Sequence, residues 1–434
     1  MKAVIQAGGP GTRLEEFTKG ILPKALVCMN GEPVIYWQLI SLIKNGITEF
    51  IVITGYHAKP LCKYLGDIKR KLGVSIQIIH EEEPLGTGGI ISRLNDIVMK
   101  DFLFIYSDIV FDFDVHRMQK VHFEMCADAT ILVHPNTHPY DSDLVVIEDS
   151  GRIKKIDFCL EERNEWLDNL VNAGVYIFSR RVFDIASGER YMDLEYDIIQ
   201  GMLIRNFRVY GYRTPEYVRD VGVVNRFIDA SEDMVSGIIE QKNLKNKQSC
   251  IFIDRDGTIN SYVPWLHKTE QFELLKHSGA ALRMLNRSAF LSIIVSNQPV
   301  VARGLCDLDD VHAIHKKMSM LLAKEGAYLD DIHFCPHHPD IGFTGENTLY
   351  KIKCTCRKPD ISMIKACFYK YNIDPSRSWI VGDTTIDIQT GKNAGIRTAL
   401  VLTGKAGADG KYQVNPDLVG NDLYDVVTQI LSYK

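Results

Sequence analysis

Two doubly wound α/β sheets in tandem, one in each half of the chain, are the fold the sequence predicts. In the first half, short apolar runs at 50–54, 74–80, 102–106 and 129–133 alternate with helical patterns at 34–44 and 116–125. In the second half, apolar runs ending at Asp254, Ser296 and Asp383 alternate with helical patterns at 309–324 and 361–371. Between the halves, Glu240-Gln-Lys-Asn-Leu-Lys-Asn-Lys-Gln-Ser249 offers almost nothing to bury and reads as a linker. The expected division is therefore a domain at 1–232, a linker at 233–248 and a domain at 249–434. Polar residues gather where the apolar runs end, so both sites are expected at the C-terminal edges of strands.

Met1-Lys-Ala-Val-Ile-Gln6 is the first strand, and Ala7-Gly8-Gly9-Pro10-Gly11-Thr12-Arg13-Leu14 follows it. Gly8, Gly9 and Gly11 let backbone amides close around phosphate oxygens, while Arg13 and, ten or so residues on, Lys24 supply positive charge. No G-K-[ST] follows and no G-x-G-x-x-G is present, which excludes a Walker loop and a dinucleotide fingerprint. The string through Lys24 resembles the sugar-1-phosphate nucleotidylyltransferases, and the resemblance runs to about residue 230. It implies a Rossmann-like, glycosyltransferase-A-like domain in which Gly8, Gly9, Gly11, Thr12, Arg13 and Lys24 bind the nucleotide, with Arg13 and Lys24 catalytic. Glu83-Pro-Leu-Gly86-Thr-Gly88-Gly89 is similar to the family's nucleobase loop, so Gly86 is expected at the base. Asp108, closing Tyr106-Ser-Asp108, and Asp220 of Asp220-Val-Gly222 match the family's magnesium ligands, and Asn172 and Gly174 match its sugar-contacting strand. One departure stands out. The family's Glu-Lys pair ahead of that strand is replaced by Ile156-Asp-Phe-Cys-Leu-Glu-Glu-Arg-Asn, leaving Lys154, Lys155 or Arg163 as substitutes for the lysine that grips the sugar phosphate.

The second half opens on Ile251-Phe-Ile-Asp254-Arg-Asp256-Gly257-Thr258. An apolar strand delivers two carboxylates at i, i+2, and the Gly-Thr turn bends the chain away at once. Asp254 is placed to attack phosphorus, and Asp256 to protonate the leaving oxygen and later activate water. Ser296 and Asn297 end the next strand with groups suited to phosphate oxygens, Arg357-Lys358 adds fixed positive charge, and a third strand ends in the carboxylates of Asp383-Thr-Thr-Ile-Asp387, which with Asp254 can hold a magnesium ion. Asp254, Asp256 and Asp383 are the expected magnesium set. The arrangement resembles the haloacid-dehalogenase-like phosphatases over about residues 249–434. Cys335-Pro-His337-His338-Pro and Cys354-Thr-Cys356 give C-x-H and C-x-C spacings that match a structural zinc held by Cys335, His337, Cys354 and Cys356, with His338 the alternative to His337. This loop resembles that of the D-glycero-D-manno-heptose 1,7-bisphosphate 7-phosphatases and the related histidinol-phosphate phosphatases.

A chain of 434 residues is long enough for two cores, and 46% apolar with 24% charged residues is ordinary for globular proteins. The net charge of −5 gives no general attraction to nucleic acid, no run approaches the length of a membrane span, and no signal peptide is expected ahead of the first strand. A cytoplasmic location with reduced thiols is expected; oligomeric state is not legible. A phosphatase that trims a sugar bisphosphate leaves the sugar 1-phosphate that a nucleotidylyltransferase consumes. Together the resemblances imply removal of the 7-phosphate from a heptose bisphosphate, then transfer of GMP from GTP, with magnesium at both sites. Three other readings stay open: a different sugar or base, a histidinol-phosphatase-like second half, and a non-catalytic nucleotide-binding first half.

Overall fold

The structure, a computed structural model, describes all residues except 10–13, 19, 160–162, 164, 343 and 434. The chain divides into two compact units, Met1–His134 with Val145–Phe158 and Leu170–Asn243, and Pro135–Leu144 with Cys159–Asn169 and Leu244–Lys434. Two short segments of the first half thus group with the second unit. The linker at 233–248 is also more ordered than its composition implies. Val224–Val235 and Ile238–Gln241 are helical, and Lys242, Asn243 and Leu244 are buried. A polar run is a free tether only while water remains its partner; here Asn243 Nδ2 donates to Asp112 Oδ1 at 2.7 Å.

In the first unit the parallel strands lie in the spatial order Ser75–His80, Glu49–Thr54, Lys2–Ala7, Phe102–Tyr106. Alternate residues feed opposite faces: Val4, Ile51 and Phe104 join one core, Ala3, Ile5 and Val52 the other. Both faces are covered over the inner strands, so Glu49–Thr54 and Phe102–Tyr106 read as apolar runs, whereas Ser75–His80 at the edge is largely exposed. The strand order reverses between Lys2–Ala7 and Phe102–Tyr106, and the crevice there lies beside Gly8 and Asp108. Beyond it the sheet turns antiparallel, with Val171–Phe178 pairing both Phe102–Tyr106 and Ala129–His134. That part was not legible, because a strand buried on both faces has no alternation to betray its direction.

The second unit holds six parallel strands in the order Asp331–Cys335, Phe290–Asn297, Ser249–Ile253, Trp379–Gly382, Arg397–Val401, Leu418–Gly420. The order reverses between Ser249–Ile253 and Trp379–Gly382, which brings Asp254 and Asp383 to one crevice. Among the described residues, no helix is long and apolar enough to cross a membrane.

Candidate active sites

Asp254 leaves the end of Ser249–Ile253, and Asp383 the end of Trp379–Gly382. Asp387 joins them from the first turn of helix Thr385–Ala394, where Thr384 Oγ1 donates to its Oδ2 at 2.5 Å in a capping box. Ligand oxygens of Asp254, Asp383 and Asp387 all lie within 4.8 Å of one another, and all three residues are buried. Lys358 Nζ donates to Asp254 Oδ1 at 2.7 Å and Asp387 Oδ1 at 2.6 Å. Burial pulls this lysine down, and Asp254 and Asp387 more than reverse it, so it stays charged. Three buried carboxylates against one ammonium leave the cluster short of positive charge. Burial accordingly pushes both Asp254 and Asp383 above the ordinary carboxylate range. An all-oxygen donor set with uncompensated negative charge fits a hard divalent cation.

Two of the residues expected here have their side chains engaged elsewhere. Asp256 is not part of the carboxylate group; its oxygens accept from Arg255, from Gln298 Nε2 at 2.8 Å and from Asn260 Nδ2 at 3.1 Å. Asp387, read from the sequence with Asp383, is the third carboxylate of the group. Asn297, expected to face phosphate, braces the lysine segment: its Oδ1 accepts from Lys358 N at 2.9 Å and its Nδ2 donates to Lys358 O at 3.1 Å. Ser296 is buried, and its Oγ accepts from Gln298 Nε2 at 2.9 Å. Arg357 Nη1 donates to His337 O at 3.2 Å, which ties the basic pair to the Cys/His loop.

That loop assembles as a four-donor cluster. Sγ of Cys356 lies 3.1 Å from Cys335 and 3.3 Å from Cys354, Cys335 lies 3.5 Å from Cys354, and His337 Nδ1 stands 3.2 Å from Cys356. A regular tetrahedron with bonds of about 2.3 Å has edges of about 3.8 Å, so the four atoms need to spread only slightly around an ion. His338 turns away and accepts from Asp340 N through Nδ1 at 3.2 Å. Cys335 pairs with Asn297 in the sheet, and its carbonyl accepts from Gln298 N at 2.7 Å. The knot therefore stands directly behind Asn297 and Gln298.

In the first unit, Lys24 Nζ donates to Asp108 Oδ2 at 2.5 Å, both side chains being largely buried. A Cβ on Gly9 would come within 3.9 Å of this ammonium, so the lysine stands against the loop that follows the first strand. Gly11, Thr12 and Arg13 fall outside the described residues. Asp220 lies opposite Ile109 in a two-stranded ladder, and Val221 N donates to Asp108 O at 2.8 Å, so the two expected metal aspartates leave adjoining backbones. Asp220 itself pairs with Arg226 at 3.3 Å. Gly86 has φ +78°, and a Cβ there would overlap the Met192 carbonyl; Gly88 N gives its hydrogen bond to the same carbonyl at 2.8 Å. These glycines thus first serve close packing against 190–193.

Asn172 and Gly174 lie where the register of Val171–Phe178 shifts. Gly174, at φ +70°, accommodates the Tyr106 ring, which a Cβ would meet at 2.7 Å. Asn172 Nδ2 donates to Glu195 Oε1 at 3.0 Å, and the hydroxyls of Tyr106 and Tyr176 donate to the same carboxylate at 3.0 and 2.5 Å. Burial lifts Glu195 to about 7 despite these bonds. Sequence reasoning missed Glu195. It sits in a π-helical turn, Leu194–Ile199, capped by Asp193, and only the fold brings it to the Asn172 strand. Lys154 and Lys155 are exposed, and Arg163 gives its guanidinium to the carbonyls of Pro139 and Ser142 at 2.8 and 2.6 Å. Glu161 and Glu162 lie outside the described residues.

Comparison with known proteins agrees with both halves. Residues 2–237 match the nucleotidyl transferase family and residues 355–426 the HAD-hydrolase-like family. A D-glycero-beta-D-manno-heptose-1,7-bisphosphate 7-phosphatase of Haemophilus ducreyi is 36% identical over 186 residues, 42% of this chain and 98% of that protein. A mannose-1-phosphate guanyltransferase beta-B of Xenopus laevis is 34% identical over 188 residues, 42% of this chain and about half (51%) of that protein. A crystal structure of a D,D-heptose 1,7-bisphosphate phosphatase from B. bronchiseptica, complexed with magnesium and phosphate, is 31% identical over 43% of this chain and 100% of that one, with a TM-score of 0.38. The chain belongs to the nucleotidyl transferase family through its first half and to the HAD-hydrolase-like phosphatases through its second. It is an enzyme with a transferase and a phosphatase domain.

Proposed function

We propose that the protein trims the 7-phosphate from D-glycero-D-manno-heptose 1,7-bisphosphate and then joins the resulting heptose 1-phosphate to GMP from GTP, releasing pyrophosphate. The observation that carries this reading is the coexistence in one chain of the Asp254–Lys358 cluster and the Lys24–Asp108 pair, each within a domain whose relatives act on a manno-configured sugar phosphate. In the phosphatase, Asp254 attacks phosphorus while Asp256 protonates the departing sugar oxygen; Asp256 then takes a proton from the water that cleaves the aspartyl-phosphate. Lys358 holds Asp254 in place. A magnesium ion held by Asp254 and Asp383 would neutralise phosphate charge, and one at Asp108 and Asp220 would do so in the transferase. In the transferase, Lys24 stands ready for the charge that builds on pyrophosphate, and Asn172 and Glu195 offer groups for sugar hydroxyls. GTP and heptose phosphates are its partners in this reading.

The order follows from charge. A 7-phosphate brings about two more negative charges to a pocket in which the expected sugar-phosphate lysine is missing. Phosphate is therefore expected before pyrophosphate when the protein meets bisphosphate and GTP. The Asp254→Asn variant should make little nucleotide sugar from that mixture until a separate phosphatase is added. Efficient formation of a 7-phosphorylated GDP-sugar by that variant would reverse the order, and turnover with mannose 1-phosphate but not heptose 1-phosphate would replace the substrate.

Zinc is the metal proposed for Cys335, His337, Cys354 and Cys356, since three thiolates and one imidazole close a tetrahedron with no position left for substrate. Cys354→Ser should lower the second domain's melting temperature and phosphate release together, with pyrophosphate release from heptose 1-phosphate unchanged. Elemental analysis finding no zinc in protein purified without chelators would sink this assignment.

A further inference from the structure

Arg255, between the two motif aspartates, is wholly buried at 0% exposure, an expensive place for a guanidinium unless its donors are met. They are. Nη2 donates to Asp256 Oδ1 and Oδ2 at 2.9 and 2.8 Å, and Nε reaches Oδ1 at 3.2 Å. Nη2 also donates to Gln298 Oε1 at 2.9 Å, and Nη1 to His315 Nε2 at 3.2 Å. Gln298 closes the circuit, its Nε2 donating to Asp256 Oδ2 at 2.8 Å. An arginine only donates, so His315 Nε2 must accept and the ring proton sits on Nδ1. Burial, with Arg255 and His312 beside it, holds that imidazole well below its usual range and hence neutral. His315 comes from helix Leu308–Lys324, sixty positions along the chain.

We propose that Arg255 is a positioning residue for the phosphatase reaction, holding the Asp256 carboxyl in line with the reacting oxygen and itself oriented by Gln298 and His315. The inference rests on the aspartyl-phosphate reading above. In the first step an Asp254 oxygen bonds to phosphorus, the bond from phosphorus to the sugar oxygen breaks, and the Asp256 proton passes to that oxygen. In the second, water oxygen bonds to phosphorus, Asp254 leaves, and a water proton returns to Asp256. A guanidinium stays protonated throughout, so Arg255 affects these steps only through where it keeps Asp256.

Leaving-group chemistry separates this role from a merely structural one. Nitrophenolate departs without a proton, whereas an alkoxide needs one. Arg255→Lys is expected to cut turnover of an alkyl sugar phosphate about 10²-fold, the low end of what a general acid contributes. With 4-nitrophenyl phosphate the same variant should keep a burst of about one nitrophenolate per protein, within about threefold of the wild-type burst rate, and then accumulate phosphorylated protein because the second step also needs Asp256. Combined with Asp256→Asn it should cost nothing further. His315→Phe, which removes the acceptor of Arg255 Nη1 and leaves both aspartates in place, should show the same pattern more mildly and serves if Arg255→Lys does not fold. The proposal is overturned if burst and alkyl phosphate turnover fall in proportion, if both variants match wild type, or if the double variant multiplies the two defects. Asp254→Asn run alongside keeps the readings apart: a burst that survives this change tells against the aspartyl-phosphate itself.

Discussion

Asp254→Asn is expected to lower phosphate release by at least about 10⁴-fold, the scale on which loss of a covalent nucleophile is felt, while leaving pyrophosphate release from heptose 1-phosphate and GTP within about twofold. The amide has the carboxylate's shape but not its lone-pair reactivity. The fold should tolerate it. Asp254 is one of three buried carboxylates that repel one another, and Lys358 keeps Asp387 at 2.6 Å when Asp254 is neutralised. A change in stability of no more than about 1–2 kcal/mol is therefore expected, visible as a small shift in melting temperature. The two activities are measured separately, by phosphate and by pyrophosphate detection. Loss of both reactions in a folded variant would show that the domains do not work independently.

What was legible in the sequence was whatever is written locally. Asp254 and Asp256 announce themselves because a strand, two carboxylates and a Gly-Thr turn occur within eight consecutive residues. The convergence of Cys335, His337, Cys354 and Cys356 was legible for the same reason, as spacing within each half of the loop fixes which donors can converge. The choice of His337 over His338 came only from resemblance; the geometry now supports it. Roles that depend on assembly were not legible. Lys358 reaches Asp254 across 104 positions and Asp387 across 29, and no local spacing announces either pairing. Asn297 looked like a phosphate ligand because a strand-end amide commonly is one, yet the neighbouring segment claims both ends of its side chain. Glu195 had no signal at all. A carboxylate among Leu194, Tyr196 and Asp197 gives no hint that two tyrosines, 19 and 89 positions away, will bury it.

Lys24→Met carries the largest effect expected in the transferase, about 10²–10³-fold in kcat for pyrophosphate release, the cost of losing one preorganised group at a developing anion. Methionine keeps the length and the apolar stem but not the charge, so packing beneath the Gly9 loop is preserved. Because the ammonium matters most when charge appears on the leaving group, KM for GTP should move much less than kcat. The 2.5 Å contact with Asp108 supplies a sharper check. If Lys24 and Asp108 act as one unit, Asp108→Asn alone is strongly impaired, and adding Lys24→Met costs far less than the product of the two single defects. Phosphate release from the bisphosphate stays at wild-type level in all three proteins. Strictly multiplicative defects in pyrophosphate release would mean that the pair seen here is a resting contact, and that Lys24 and Asp108 meet the nucleotide at separate points.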